Sequence, residues 1–297
     1  MNVNFEYYRI FYYVAKYNNF TKAACALNNS QPNITRAMNC LEHEINCILF
    51  VRTNRGVYLT PEGEKLYERV SAAMMQIQMA EDELADSVGL EHGSISVGAS
   101  EIALNIYLLD RLKKFHTTYP GVRLKLSNSS TPQAIRSVRM GEVDFAVVTT
   151  PTELELPLKE IKLKAFKEIL VAGSTFSKLN DKKLNMKDLK KYPFICLGAD
   201  TKTYHFYYEL FQKYGAEFET DTEVATTDQI LPLIKSELGL AFLPEEMAGD
   251  SIDKGEIIQI KLKDEIPNRY VCMVYDSKRP MSVAAQKLKK ILLESDE

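Results

Sequence analysis

Cysteine, histidine and tryptophan are scarce in this sequence, and the scarcity excludes the common metal sites. There is no tryptophan, and none of the five cysteines stands in a C-x-x-C pair or at zinc-ligand spacing from one of the four histidines. We therefore expect reduced, mostly buried thiols in a cytosolic protein without bound metal or cofactor. Two of the cysteines fall in predicted strands, which favours core thiols over a redox switch. The five are Cys25, Cys40, Cys47, Cys196 and Cys272.

Long apolar runs are missing too. Glu6, Arg9 and Lys16 interrupt the first twenty residues, which leaves no apolar core of the signal-peptide type, and no later stretch approaches a membrane span. The sequence therefore predicts a cytoplasmic protein that is neither exported nor anchored in a membrane.

Motifs of the common enzyme classes do not occur either. The sequence has no G-x-G-x-x-G, G-K-[ST], H-E-x-x-H or G-x-S-x-G, and its histidines, at positions 43, 92, 116 and 205, are scattered. An enzyme built on the later α/β half is thus the weaker hypothesis, and we expect no catalytic residues.

An excess of positive charge is also absent, since the formal net charge is −3. A protein that coats nucleic acid generally is disfavoured, and any DNA contact must come from a local patch. Residues 1–65 carry seven Lys and Arg against five Asp and Glu, so the N-terminal region is mildly basic.

The sequence does contain a helical N-terminal segment with clear start and stop signals. Apolar residues recur at three- and four-residue spacing between positions 4 and 17, which predicts a first amphipathic helix. Thr21 is a good N-cap for a short second helix through residue 27. After a turn, Ser30 caps a third helix, with Pro32 in its first turn, that runs to about residue 46. Two helices joined by such a turn, the second opening on polar residues, are typical of a helix-turn-helix that reads the major groove.

A hairpin and a long helix follow. Residues 50–52 and 57–59 read as two strands joined through 53–56, a small wing. Thr60 and Pro61 then start a helix whose apolar residues follow the a/d spacing of a coiled coil for almost three heptads. This stripe either packs on the chain's own core or forms a dimer seam, and its narrowness favours the seam. Its members are Leu66, Val70, Ala73, Ile77, Ala80 and Leu84.

Beyond residue 93 the pattern changes to alternating strands and helices, which predicts an α/β domain. The continuous apolar run 143–148 suits a central parallel strand. The other predicted strands are 94–98, 122–126, 169–172, 194–197, 223–225, 240–243 and 270–275, and the predicted helices are 104–119, 135–140, 204–214, one starting at 229, and 282–293.

The whole chain resembles the LysR-type transcriptional regulators. The N-terminal signature is the specific part: Phe11-Tyr12-Tyr13-Val14-Ala15, Asn19-Phe20-Thr21-Lys22-Ala23-Ala24, Leu27, Ser30-Gln31-Pro32-Asn33-Ile34-Thr35-Arg36, Leu41-Glu42, Leu49-Phe50-Val51-Arg52 and Leu59-Thr60-Pro61-Glu62-Gly63. Weaker matches follow at Pro120-Gly121-Val122, Gly141-Glu142-Val143-Asp144, Glu168-Ile169-Leu170-Val171, Tyr192-Pro193-Phe194-Ile195 and Gly239-Leu240-Ala241-Phe242-Leu243-Pro244. Three residues depart from the family pattern: Asn29 replaces an apolar residue, Asn33 an alanine and Glu237 a glycine.

The resemblance implies an α/β fold with three parts. These are a winged helix-turn-helix over 1–59, a linker or dimerisation helix over 60–88, and an effector-binding domain over 89–297. That last domain would be two-lobed, similar to type 2 periplasmic binding proteins, with lobe I at about 93–163 plus 270–297 and lobe II at about 164–269. A plain solute-binding protein would share the two lobes but would have no use for residues 1–88.

The implied partners are double-stranded DNA, a small-molecule effector of anionic character, a second copy of the chain in a dimer or tetramer, and RNA polymerase. Amide groups on the reading helix suit adenine, and arginine suits guanine or a phosphate. An arginine on the wing could enter the minor groove. For Ser30, capping of the third helix is favoured over a contact with DNA. The residues assigned to DNA are Thr21, Ser30, Gln31, Pro32, Asn33, Thr35, Arg36, Arg52 and Arg55, with Arg55 the better of the two wing arginines.

Hydroxyl side chains cluster where predicted strands end, and ligands of open α/β sheets bind at that edge beside helix N-termini. Each hydroxyl alone could equally be a helix cap. Several converging on one cleft favour an anionic ligand, with Lys202, His205 and Arg136 as countercharges. The residues assigned to the effector are Ser100, Ser129, Ser130, Thr131, Thr149, Thr150, Thr201, Thr203, Thr226 and Thr227.

Overall fold

The computed structural model describes residues 3–53, 56–85, 93–179 and 183–294. The chain divides into two compact units, one made of Met1–Ser87 with Arg139–Glu142 and the other of Val88–Val138 with Val143–Glu297. None of the helices in the described ranges is long and apolar enough to cross a membrane.

The first unit begins with three short helices, each started by a polar N-cap. They are α1 (Phe5–Tyr17), α2 (Phe20–Ala26) and α3 (Gln31–Ile45). Asn4, Asn19 and Ser30 accept the first backbone N–H groups. The predicted cap of α2, Thr21, was wrong: Asn19 Oδ1 accepts from Lys22 N at 2.9 Å, and Thr21 lies exposed in the first turn. The N-cap of α2 is therefore Asn19, two residues before the position that was predicted.

A two-stranded hairpin and a long helix complete this unit. Strand β1 (Phe50–Thr53) pairs antiparallel with β2 (Gly56–Leu59), and α4 (Pro61–Ala85) follows. Thr60 Oγ1 accepts from Gly63 N at 2.9 Å and starts α4 as its N-cap. Phe50 anchors the hairpin, with its ring centroid 5.4 Å from that of Phe11.

The apolar stripe of α4 divides into two parts. Leu66 and Val70 pack in the core formed by α1, α2 and α3, so the first turns of the stripe serve the chain's own fold. Ala73, Ile77 and Ala80 are exposed, and the side chain of Leu84 lies outside what the structure describes. Of the two alternatives for this stripe, packing on the chain's own core thus describes Leu66 and Val70, whose side chains cover the end of the helical bundle, and the dimer seam stays a prediction.

The second unit is an α/β domain. Its strands are β3 (Gly93–Ala99), β4 (Val122–Asn128), β5 (Phe145–Thr149), β6 (Leu158–Phe166), β7 (Glu168–Gly173), β8 (Ile195–Leu197), β9 (Thr222–Val224), β10 (Leu240–Pro244), β11 (Ile257–Ile260) and β12 (Arg269–Asp276). Its helices are α5 (Glu101–Ala103), which continues through a π-helical turn (Leu104–Leu108) into α6 (Leu109–Thr118), then α7 (Thr131–Met140), α8 (Lys202–Lys213), α9 (Ile230–Lys235), α10 (Glu245–Asp253) and α11 (Val283–Leu293).

Lobe I is built on a five-stranded sheet of order β4-β3-β5-β12-β6. Strand β3 runs parallel to β4 and β5, whereas β12 runs antiparallel to both β5 and β6. The apolar strand β5 is central and fully buried, but it is parallel on one side only. The predicted central strand is therefore parallel to β3 and antiparallel to β12, because the chain returns to this sheet at β12 from the second lobe.

Lobe II has a three-stranded antiparallel sheet of order β10-β7-β11 and a parallel pair, β8 and β9. Sequence patterns did not predict β6, β11 or α10. Strand β6 lies at the edge of its sheet and carries exposed lysines, so it lacks the continuous apolar run of a central strand. The chain passes from the first sheet to the second between Phe166 and Glu168 and returns at Arg269.

Candidate functional site

The N-terminal half of α3 presents polar side chains on its outer face. Gln31, Pro32, Asn33 and Arg36 are exposed and Thr35 is half-buried. The opposite face is held down by Ile34, Ala37, Met38 and Leu41, all of which are buried. The α3 residues predicted from sequence to contact DNA are thus on one accessible face of a firmly packed helix.

Two asparagines at the start of α3 are bonded to each other. Nδ2 of Asn33 donates to Oδ1 of Asn29 at 3.0 Å, and the same oxygen accepts from Ser30 N at 2.8 Å. Ser30 Oγ in turn accepts from Asn33 N at 3.4 Å, so Ser30 acts as a cap. The hydrogen bonds among these three residues use neither Oδ1 of Asn33 nor its second amide N–H. These two groups are an acceptor and a donor, the combination that pairs with the edge of adenine.

Arg52 contacts α3 through a residue that the sequence pattern did not indicate. Its Nη2 donates to Oδ1 of Asn39 on α3 at 3.1 Å, and its guanidinium carbon lies 4.6 Å from the centroid of the Phe20 ring. Arg52 therefore joins the wing to both helices of the helix-turn-helix. The other predicted wing arginine, Arg55, lies outside the described residues.

A cleft between the two lobes collects the hydroxyl groups expected from strand ends. Its volume is about 230 Å³, and both lobes contribute to its walls. Of the ten residues assigned to an effector, nine line this cleft: Ser100, Ser129, Ser130, Thr131, Thr149, Thr201, Thr203, Thr226 and Thr227. Thr150 lies outside the lining, and its Oγ1 accepts from Tyr270 N at 3.0 Å.

Some of these hydroxyls already cap helices. Thr201 Oγ1 accepts from Tyr204 N at 3.2 Å and donates to Gly198 O at 2.8 Å, so its bonding capacity is largely used. Ser100 Oγ accepts from Ala103 N at 3.4 Å and keeps its proton to offer. Thr131 Oγ1 is 3.5 Å from Thr149 O, a weak contact that a ligand could replace.

The charges at the cleft are mixed. Lys202 lines it and pairs with the exposed Glu153, while Glu101 and Asp200 line it as well. The carboxylate of Glu101 accepts from Nδ2 of Asn105 at 2.7 Å and from Nδ2 of Asn128. His205 and Arg136, which were expected as countercharges, lie outside this lining.

A buried arginine lies beside the cleft, and pattern analysis did not find it. The side chain of Arg269 is 1% exposed and forms an ion pair with Glu168, Nη1 to Oε1 at 2.5 Å. Burial raises the pKa of Glu168, and the guanidinium opposes that rise. The available signal was weak, because an arginine just before the predicted strand 270–275 reads as a surface residue.

The two strand cysteines are buried thiols. Burial raises the pKa of Cys196 and of Cys272 to about 12. Such thiols are protonated and unreactive near neutral pH.

A winged helix-turn-helix in one unit and a hydroxyl-lined cleft in an α/β unit define the protein as a DNA-binding transcriptional regulator with an effector domain. Family models agree: "Bacterial regulatory helix-turn-helix protein, lysR family" matches residues 5–64, and "LysR substrate binding domain" matches residues 89–297. The chain belongs to the LysR family, and its predicted fold class is confirmed.

Relatives and solved structures match over nearly the whole length. The HTH-type transcriptional regulator YofA of Bacillus velezensis is 25% identical over 280 residues, 94% of each chain. The structure of ArgP from Mycobacterium tuberculosis has a TM-score of 0.74 at 16% identity and covers 98% of this chain and 97% of its own. Full-length CbnR complexed with its target DNA has a TM-score of 0.66 at 18% identity, covering 97% and 98%.

Proposed function

We propose that this regulator reads its operator through the first two turns of α3 and is controlled by a small anionic ligand held in the interlobe cleft. The observation that carries the DNA assignment is the exposed row Gln31, Asn33 and Arg36 on a helix whose other face is buried. Amide and guanidinium groups on such a face can form paired hydrogen bonds with adenine and guanine. CbnR, a structural neighbour, is described as bound to its target DNA, which supports the same role for this chain.

The remaining DNA contacts are proposed for the flanks of this row. Pro32 and Thr35 would lie against the groove beside the base-reading groups, and Thr21 and Ser30 would meet the phosphate backbone with their exposed turns. Arg52 and Arg55 would hold phosphate or enter the minor groove from the wing.

The effector assignment rests on the convergence of hydroxyl side chains on one cavity. Nine hydroxyl-bearing residues from several strand ends and helix starts face one cavity of about 230 Å³, a size that suits a small metabolite. Hydroxyls donate readily to carboxylate, sulfate or phosphate oxygens, and Lys202 adds a positive charge at the rim. Glu101 and Asp200 at the same cleft favour a ligand that also carries donor groups of its own.

The proposed assembly uses the second half of α4. Ala73, Ile77 and Ala80 are exposed on a helix that has left its own core, and a second copy could cover them in a homodimer. Pairing of such dimers would give a tetramer, with RNA polymerase as a further partner. We propose domain limits at 1–59, 60–88 and 89–297, a cytoplasmic location, and a regulatory role without catalysis.

A gel-shift titration tests the proposal directly. The full chain is mixed with DNA from just upstream of its own gene, with a shuffled duplex of equal length as competitor. We expect a shift that the shuffled duplex fails to compete away. Equal competition by both duplexes would reject sequence-specific binding and would favour the enzyme or solute-binding alternatives.

A further inference from the structure

Arg269 and Glu168 form a buried ion pair at the point where the chain crosses between the lobes. Glu168 is the first residue of β7 in lobe II, and Arg269 is the first residue of β12 in lobe I. Their side chains are 0% and 1% exposed, and Nη1 of Arg269 lies 2.5 Å from Oε1 of Glu168. The hydroxyl of Tyr207 donates to the other oxygen of Glu168.

The guanidinium of Arg269 is held on every side. Nε donates to Thr150 O at 2.8 Å, and the centroids of the Phe166 and Phe206 rings lie 5.6 and 5.0 Å from its central carbon. A planar group with this many fixed contacts has one orientation. Its remaining nitrogen, Nη2, therefore has a defined position.

That nitrogen reaches both walls of the cleft. Nη2 donates to Oγ1 of Thr149, at the end of β5 in lobe I, and to Oγ1 of Thr203, in the first turn of α8 in lobe II, each at 3.1 Å. Both threonines line the cavity. One arginine thus sets the orientation of two hydroxyls that face each other across the cleft.

We infer that Arg269 is a positioning residue for the ligand, turning the hydroxyls of Thr149 and Thr203 into a pair of hydrogen-bond donors for one oxyanion. Each hydroxyl oxygen accepts from the cation, so the proton it carries is the group it has left to offer. A hydroxyl that accepts from a guanidinium is also a stronger donor, because chained hydrogen bonds polarise one another. The inference rests on the proposed function, in which the cleft binds an anionic ligand.

Stability alone gives no reason for such a pair. Replacing a buried ion pair by apolar residues of similar size is often neutral or stabilising, since desolvation offsets the attraction. The fork geometry of Arg269 is what a lysine or a methionine could not reproduce. The pair therefore serves to place Nη2 between the two lobes.

The test uses the full-length protein and inorganic sulfate as the probe, with ionic strength held constant by sodium chloride and binding measured by calorimetry. The variants are Thr203→Val, Arg269→Lys and both together. Arg269→Lys keeps the charge beside Glu168 but cannot bond both hydroxyls and Thr150 O together. Tyr207→Phe is the matched control, because it disturbs the same buried pair while leaving every contact of Nη2 intact.

We expect Thr203→Val and Arg269→Lys each to weaken sulfate binding roughly tenfold, and the double variant to bind no more weakly than either one. Tyr207→Phe should bind sulfate as the wild type does. Melting temperatures measured without sulfate report separately on folding. If Arg269→Lys fails to fold, the double replacement Glu168→Gln with Arg269→Met takes its place, because it leaves no unpaired charge.

Two results would overturn the inference. In one, Arg269→Lys binds sulfate as the wild type does, whether or not its melting temperature changes, which would make the arginine purely structural. In the other, the effects of the two substitutions multiply, which would make the threonine and the arginine independent. A wild-type protein that binds no sulfate would instead reject the oxyanion in the proposed function itself, and this inference would fall with it.

Discussion

Asn33 donates from Nδ2 to Oδ1 of Asn29 at 3.0 Å, so two residues that each depart from the family pattern form one hydrogen-bonded pair at the start of α3. The hydrogen bond uses one N–H of the Asn33 amide and fixes the orientation of that amide. The other N–H and the oxygen of the amide take no part in the bond. Asn29 thereby orients a group that can read adenine. The two departures are best understood as one feature.

Asn33→Ala should weaken operator binding by about 1–3 kcal/mol, because it deletes a two-bond contact to a base. Asn29→Val should weaken it less, since the amide remains but loses its fixed orientation. Fluorescence anisotropy with a labelled operator at fixed salt measures both. His43→Ala, in the last turn of α3, is the control, and an Asn33→Ala protein that binds as tightly as this control would remove Asn33 from the interface.

Arg36→Ala should weaken operator binding by about 1–3 kcal/mol, because it removes another contact with the DNA, and it should leave the oligomeric state unchanged. The residue is exposed on α3 and is not part of its buried face. Titrations at several salt concentrations distinguish a base contact from a phosphate contact, because only the latter reduces the salt dependence by about one ion. Unchanged affinity at every salt concentration would mean that α3 is not the reading helix.

Ile77→Glu should dissociate the proposed dimer. Ile77 is 39% exposed on α4, and in a helix pair it would be covered by the partner, where an unpaired carboxylate is costly. Sedimentation velocity compares this variant with Gln76→Glu, which places the same charge on the adjacent exposed position. If both variants sediment as the wild type does, the exposed half of α4 is not the dimer seam.

Ser100→Ala combined with Thr131→Val should weaken ligand binding without loss of DNA binding. Both residues are 7% exposed and line the cleft, and the present hydrogen bonds of their hydroxyls are long, at 3.4 and 3.5 Å. Each lost bond to a charged ligand should cost roughly 1.5–3 kcal/mol. A transcription reporter and calorimetry with sulfate give the two readouts. A double variant with wild-type response would show that these hydroxyls make only their contacts within the fold.

Glu237→Gln should lower the melting temperature at neutral pH. The carboxylate accepts from Thr175 Oγ1 at 2.6 Å, from Thr175 N at 3.2 Å and from Ser174 Oγ at 2.9 Å, and these bonds, the Thr175 hydroxyl first, lower the pKa of Glu237 below its ordinary 4.5. A carboxyl whose pKa is depressed on folding stabilises the protein above the unfolded value, and this stabilisation disappears as pH falls through the folded value.

The difference in melting temperature between wild type and Glu237→Gln should therefore be present at pH 7 and shrink below about pH 4.5. Glu209→Gln, on an exposed position of α8, is the control. A difference that stays constant across this range would show that the charge of Glu237 does not matter.

Much of the protein could be predicted from short stretches of its sequence. Caps, turn residues and helical periodicity act within a few residues of one another, which is why the bounds of α1, α3, the wing and α4 were close to those observed. Nine of the ten hydroxyl residues assigned to the cleft line it for a similar reason, since the carboxyl ends of strands in an α/β sheet meet at one edge.

Tertiary structure decided what depends on distant partners. Strands β6 and β11 exist because β12 and β7 offer them backbone hydrogen bonds, and no local pattern announces such pairing. Leu66 and Val70 look like the rest of their stripe, yet they cover the three-helix core. Arg269 reads as a surface residue until the fold brings Glu168, Thr149 and Thr203 around it from positions 66 to 120 residues away. Burial of a charge becomes favourable only when its partners are already in place, and this placement is a property of the folded chain.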